Sequence, residues 1–533
     1  CSKPAATDKA ASATTTSAAI ETGAYLPDAN RKFPTRVLWG DEHVHTGWSM
    51  DAGIAGTTLT PEDALRFVRG EAIKSNTGQT AKLARPLDWV AITDHSDGMG
   101  AINELRDGNA EFVADPVTKR WGEMMRAGGE SANKAIFELI NAQATQKLPK
   151  VMVDPKWMSA AWTKTIALNE KYNEPGKFTT LNGYEWTSNA RGRNNLHRNV
   201  ILRDGGDKAQ QVLPQTTFQS EDPAALWVWL ANYEAKTGGK ALAIGHNGNL
   251  SNGRFFEEQQ FDGKPMTRDW AETRSRWEPL FEYYQYKGQS ETHPSLSPND
   301  EFANFEVWDT ANLNGVMKAP GMIAREYARQ ALANGLRIEA TLGANPFKFG
   351  AAAGTDTHTG IAAADENNFW GKLASGEPSA NRWNQDFAKQ KDGKFRKEWT
   401  MSAAGYTGVW ATANTREAIW DAMKRKETYA SSGPRITVRF FGGYDFAAAD
   451  ARADTLAATG YAKGVPMGGD LKPAPAGKVP TFLIAAMKDP DGANLDRAQI
   501  VKGWVDAAGK THEAIYDVVW SDAAKRKPVG GKL

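Results

Sequence analysis

The sequence predicts an α/β fold whose strands open on a face lined with metal-ligand residue types. Three observations carry this expectation. Between Arg36 and about Arg435, apolar runs of strand length alternate with segments of helical periodicity. Five of the eight histidines stand at or just past the end of such a run, usually beside a carboxylate. In a parallel sheet or barrel all carboxyl ends open on one face, so residues placed this way converge. Five strand ends bearing ligand types therefore predict one polynuclear metal centre.

The elements follow in order. Residues 1–30 are Ala/Thr/Ser-rich and read as a flexible tether. The run 36–40 leads into Asp41-Glu42-His43-Val44-His45, and Thr60-Pro61 announces a helix by a cap and a first-turn proline. The run 87–93 leads into Asp94-His95. Residues 98–175 then break the alternation with helices expected near 132–144 and 157–172. The run 178–184 leads into Glu185, and Asp222-Pro223 starts a helix that stops near Gly238-Gly239. The run 241–245 leads into His246, and 349–355 into Asp356-Thr357-His358. Residues 360–413, rich in Gly, Asn, Lys and Trp, form a second interruption, after which Asn414-Thr415 opens a helix through Lys426. Both interruptions adjoin strand ends, so both are candidate lids over the metal face, the alternative being that they only pack against the outside. From 436 to 533 the texture becomes β-like runs between Gly/Pro/Asp turns, predicting a small C-terminal β-rich module.

Bulk properties narrow the function. A net charge of +1 gives no general attraction to nucleic acid or anionic membrane. No window approaches the roughly 20 apolar residues of a spanning helix. There is no nucleophile elbow, P-loop or dinucleotide fingerprint, which disfavours ATP- or NAD-dependent chemistry. The one cysteine is Cys1, followed by Ser2-Lys3-Pro4. This start resembles a processed bacterial lipoprotein, implying an exported chain lipid-anchored through Cys1 in the envelope, on the periplasmic or surface side of the outer membrane.

Imidazole and carboxylate together suit Zn, Mn or Fe. His43 and His45, like Asp356 and His358, stand two residues apart, a spacing that puts both side chains on one side of a pleat. His-x-His, Asp-His, Glu, His and Asp-x-His in this order resemble the PHP (polymerase and histidinol phosphatase) superfamily. The chain is most similar to the bacterial group called domain of unknown function 3604, from about Arg36 to Arg435 and again in the closing Thr428–Ile436 stretch. The resemblance implies a distorted (β/α)7 barrel with two to three metals. It also implies the ligands His43, His45, Asp51, His95, Glu185, His197, His246, Asp356 and His358, with Asp94 behind His95. Glu185 would bridge two metals: His43, His45 and Asp356 complete the first site, and His197 and His246 the second. Asp51, His95 and His358 would hold a third. His197 is the irregular member, because it begins an apolar run instead of ending one. Glu42 departs from the family pattern and is expected to face solvent.

Such a centre makes a metal-bridging hydroxide and neutralises anionic oxygens, which predicts a phosphoesterase acting on a small anionic mono- or diester. Arg193 is the first choice for holding substrate oxygens, with Arg191, Arg198 and Arg254 behind it. Two other functions remain open: a carbamate or aryl ester hydrolase on the same site, and a surface lipoprotein with structural metals. A cationic surround favours phosphate, and an apolar, aromatic one favours the carbamate.

Overall fold

The five apolar runs that lead into ligand types fold as the strands β1 (Leu38–Val44), β2 (Trp89–Ile92), β3 (Thr179–Trp186), β5 (Ala241–Gly245) and β7 (Gly350–Ala353). The run that follows His197 folds as β4 (Arg198–Leu202), and β6 (Leu280–Gln285) is a strand that the sequence reading did not mark. The computed structural model describes residues 33–127, 129–389, 395–452, 454–529 and 533; the expected tether and Cys1 lie outside them. The seven strands are neighbours in chain order, and β8 (Thr407–Val409) and β9 (Thr428–Ala430) extend the sheet beyond β1.

The sheet curls. The amide of His45 donates to Thr357 O at 2.9 Å and that of Asp356 to His43 O at 2.8 Å, joining the carboxyl ends of β1 and β7. Lower down, the Thr407 hydroxyl accepts from the Ala353 amide at 2.8 Å and Thr428 donates to Ala351 O at 2.8 Å. Gly354 permits the closest approach: an added Cβ there would lie 2.6 Å from His43 Cβ. Beneath the polar face, Leu38, Ala91, Leu181, Ile201, Leu242, Ile244, Leu280 and Ala352 meet Ile419, Trp420 and Met423 of the helix Arg416–Lys424 in one buried cluster. Each of the seven strands thus gives a residue to this cluster, while other strand residues such as Val44, Val90, Tyr184 and Val200 pack in separate clusters.

One feature departs from simple strand–helix alternation. β4 runs antiparallel to both β3 and β5, whereas the other neighbours among β1 to β7 are parallel. Only residues 187–197 separate β3 from β4, too short for a parallel crossover.

Helices begin where the caps predict. Thr60 and Asp63 form a reciprocal capping box on Pro61–Val68, and Asp222 caps Pro223–Thr237, which ends at left-handed Gly238. The first interruption is helical, including Gly129–Ala144 and Pro155–Tyr172. Among the described residues no helix is long and apolar enough to cross a membrane.

After Arg435, strands Thr437–Gly443, Gly464–Pro466 and Thr481–Met487 form one small sheet, and Arg497–Val505 pairs with Thr511–Trp520. Arg435 donates to the carbonyls of Arg85 and Pro86 at 2.7 and 2.9 Å, which tethers this region near the amino end of β2, away from the ligand face.

Candidate metal centre

Glu185, at the end of β3, is the hub. Its Oε1 lies 2.7 Å from His197 Nδ1 and 3.1 Å from His246 Nε2. Its Oε2 lies 3.0 Å from His45 Nε2 and 3.3 Å from both His43 Nε2 and His95 Nδ1. Asp356 is the second focus: Oδ1 is 3.3 Å from the Nε2 atoms of His43 and His45 and 3.2 Å from that of His358. Asp51 Oδ2 sits 3.1 Å from His95 Nε2 and 3.5 Å from His358 Nδ1. The structure therefore brings all nine sequence-derived ligand types into one cluster, buried except for the partly exposed Asp51. Three-residue groups able to hold a cation are His43–His45–Asp356, Glu185–His197–His246, His45–His95–His358 and His43–His246–Glu282.

The rings are aimed by partners behind them. His43 Nδ1 donates to Glu282 Oε2 at 2.8 Å and His45 Nδ1 lies 3.0 Å from Ser49 Oγ, so each turns Nε2 inward. Asn189 Oδ1 is 3.2 Å from His197 Nε2. Asp94 does not stand behind His95 as expected: it accepts from the Thr46 amide at 2.7 Å and the Thr46 hydroxyl at 2.8 Å and so fixes the turn after His45, while the His95 ring meets Thr187 Oγ1 and Asp51. Asp356 adopts φ +55°, an uncommon backbone for a residue other than glycine, and its amide is held by His43 O.

The donor set fits metal ions. His45 Nε2, His246 Nδ1 and His358 Nε2 are buried without a hydrogen bond among the described residues, and two of these atoms face the carboxylates directly. Burial drives His246 down to about 4 and His197 to about 3, and lowers His43, His45 and His358 as well, leaving neutral imidazoles. His95 differs: burial opposes its charge, but Asp51 and Glu185 outweigh that and raise it to about 9. Glu185 is held well below the usual carboxylate range; burial works against its charge, and the surrounding histidines prevail.

Several residues arrive that sequence reasoning missed. Lys287 Nζ donates to Asp356 Oδ2, and Lys372 Nζ lies 2.7 Å from Asp356 Oδ1; burial pushes Lys287 well below the usual lysine value and Lys372 down to about 7. Glu282, a carboxylate inside the aromatic run of β6, offered a signal; Lys372, in a loop without periodicity, offered none. Glu42 does not face solvent. The β1–β2 pairing shifts register between Asp41 and Val44, and at this bulge Glu42 is fully buried, accepting from Thr407 Oγ1 at 2.8 Å.

The arginines fall elsewhere. Arg198 is 1% exposed and paired with Glu278 at 3.0 Å, because it alternates with His197 across the strand. Arg254 pairs with Glu257, and Arg191 donates to Phe261 O. Arg193 ends the short helix Ala190–Arg193, and its side chain lies outside the described residues.

A cavity of about 370 Å³ rises from Asp51, His95, Glu185, His197 and His358 toward solvent. Its walls include residues of helix Gly129–Ala144, the 308–315 loop and the 373–398 segment, so both long interruptions border it.

No curated protein sequence matches the chain. The structure is similar to the crystal structure of a two-domain protein containing a predicted PHP-like metal-dependent phosphoesterase from Bacteroides vulgatus ATCC 8482, at 12% identity over 90% of this chain and 95% of that one, with a TM-score of 0.29. The model of the family described as protein of unknown function (DUF3604) matches residues 32–533, and the chain belongs to that family.

Proposed function

We propose that this protein is a metal-dependent hydrolase of phosphate esters, built on a distorted (β/α)7 barrel and using two to three Zn, Mn or Fe ions. The observation that carries the reading is the gathering of nine ligand types about Glu185 and Asp356, which are two of them, with Lys287 and Lys372 against Asp356. A structural metal needs one closed four-ligand site; a nine-residue centre opening into a cavity suits catalysis better. When bound, the metals supply an acidified water and positive charge for a phosphoryl group.

The chain's own residues account for the rest. Glu185 spans two histidine groups, His197 and His246 on one oxygen and His43, His45 and His95 on the other. Glu282 and Ser49 hold the first histidine pair in orientation. Lys287 and Lys372 are placed to meet anionic oxygens at the cavity floor, the role assigned from sequence to arginines.

A carbamate or aryl ester hydrolase is the second reading, favoured by the large apolar groups in the walls of the cavity. The deciding experiment is nitrophenol release by metal-reconstituted protein from a phosphomonoester, a phosphodiester and an aryl carbamate, with chelated protein as blank. Chelator-sensitive release from either phosphate supports the proposal, and the mono/diester ratio narrows the substrate. Release from the carbamate alone overturns it in favour of the second reading.

A further inference from the structure

The cavity over the metal centre joins a floor of ligand-type side chains to walls in which large apolar groups stand among polar ones such as Gln143, Thr310 and Gln385. At the floor stand ligand-type side chains with Lys287 and Lys372. Higher up the lining changes. Ile136, Phe137 and Ile140 come from one turn-spaced face of helix Gly129–Ala144, Leu313 and Trp308 from the loop opposite, and Phe387 from the 373–398 segment. Three separate segments thus present apolar groups to one space. Trp308 and Phe387 are ring neighbours at 6.0 Å between centroids, and Arg396 covers the Trp308 ring at 3.9 Å.

Two of these residues are exposed to a degree that packing does not explain: Phe137 is 66% and Leu313 43% solvent-exposed. Large apolar side chains held in water at the mouth of a charged site lose hydration cost when a ligand covers them. The cavity volume of about 370 Å³ falls at the lower end of ordinary small-ligand pockets, which run from roughly 300 to 1,000 Å³.

We infer that the substrate is an amphiphilic phosphate monoester or diester, whose phosphate sits at the lysine-flanked floor and whose aryl or branched alkyl group lies between Phe137, Ile140 and Leu313. This inference rests on the phosphoester reading and adds to it the class of the esterified alcohol.

Non-hydrolysable phosphonates test this without the differing leaving-group chemistry of esters. Calorimetric titration of metal-loaded, full-length protein compares methylphosphonate, phenylphosphonate and a phenyl carbamate. Phenylphosphonate is expected to bind at least about tenfold tighter than methylphosphonate, the worth of covering one ring face. In Leu313→Asp and Ile140→Asp proteins the ratio of the two dissociation constants is expected to fall toward one; a ratio within the same sample is insensitive to partial misfolding. Equal binding of both phosphonates by the unsubstituted protein overturns the amphiphile inference and leaves the phosphoester reading standing. Binding of the phenyl carbamate with no binding of either phosphonate overturns both, as does absence of any binding.

Discussion

His197 approaches Glu185 to 2.7 Å from the amino end of a strand that runs opposite to the one bearing Glu185. Reversal of β4 brings His197, the residue just before it, to the same face as Glu185 near the close of β3 and His246 just past β5. There His197 and His246 share one carboxylate oxygen, Oε1, while the other faces His43, His45 and His95. One side chain thereby ties two histidine groups together.

Glu185→Gln removes the charge common to both groups. It is expected to lower bound metal by at least one equivalent and activity by about 10³-fold or more, within the range of losses seen when a key electrostatic group is removed. Elemental analysis and steady-state assay of the same preparation check this. Full metal content with unchanged activity would show that Glu185 does not bridge.

Glu282→Gln leaves every proposed ligand in place but replaces the acceptor that orients His43 at 2.8 Å. Metal affinity, measured by competition with a chromophoric chelator, is expected to fall about 10- to 100-fold. His43→Ala should make the further Glu282 change nearly silent, since the two act through one contact.

Lys287→Met and Lys372→Met each remove a lysine nitrogen from Asp356. If these groups bind substrate oxygens, kcat/KM for a phosphate ester falls by about 10²-fold while metal content holds. A loss of metal with intact kcat/KM per loaded site would assign the lysines to balancing the charge of Asp356 instead.

Glu398 lines the cavity, and burial raises it from 4.5 to about 7, although Ser375, Arg382 and Lys372 pull the other way. A carboxyl with a raised folded value is protonated in the folded chain when the unfolded chain has already lost its proton. Its contribution to stability is therefore complete below about 4.5 and is lost as pH rises toward about 7. Glu398→Gln should remove this slope, gaining up to about 3 kcal/mol over the native chain at pH 8. Denaturant unfolding at pH 5 and pH 8 reads the difference, and parallel curves for the two proteins would refute it.

Much of the centre is legible in the chain itself because a strand's carboxyl end has a local signature, an apolar run followed by a ligand type. His45, His95, Glu185, His246, Asp356 and His358 could be placed that way, since each depends on its own few neighbours. Helix starts at Pro61 and Pro223 were legible for the same reason, as caps act within one turn. What only tertiary structure decided are relations between segments distant in sequence. Strand direction is one: whether β4 returns or crosses depends on which neighbour it pairs with, and that reversal gives His197 its place and turns Arg198 toward Glu278. The bulge that buries Glu42 is another, because a register shift is a property of two strands. Lys287 and Lys372 reach Asp356 across 69 and 16 residues, and no local pattern marks a lysine that folding will place beside a carboxylate. Local sequence sets what each strand end can donate, while long-range pairing, which no short window of sequence encodes, sets which donors meet.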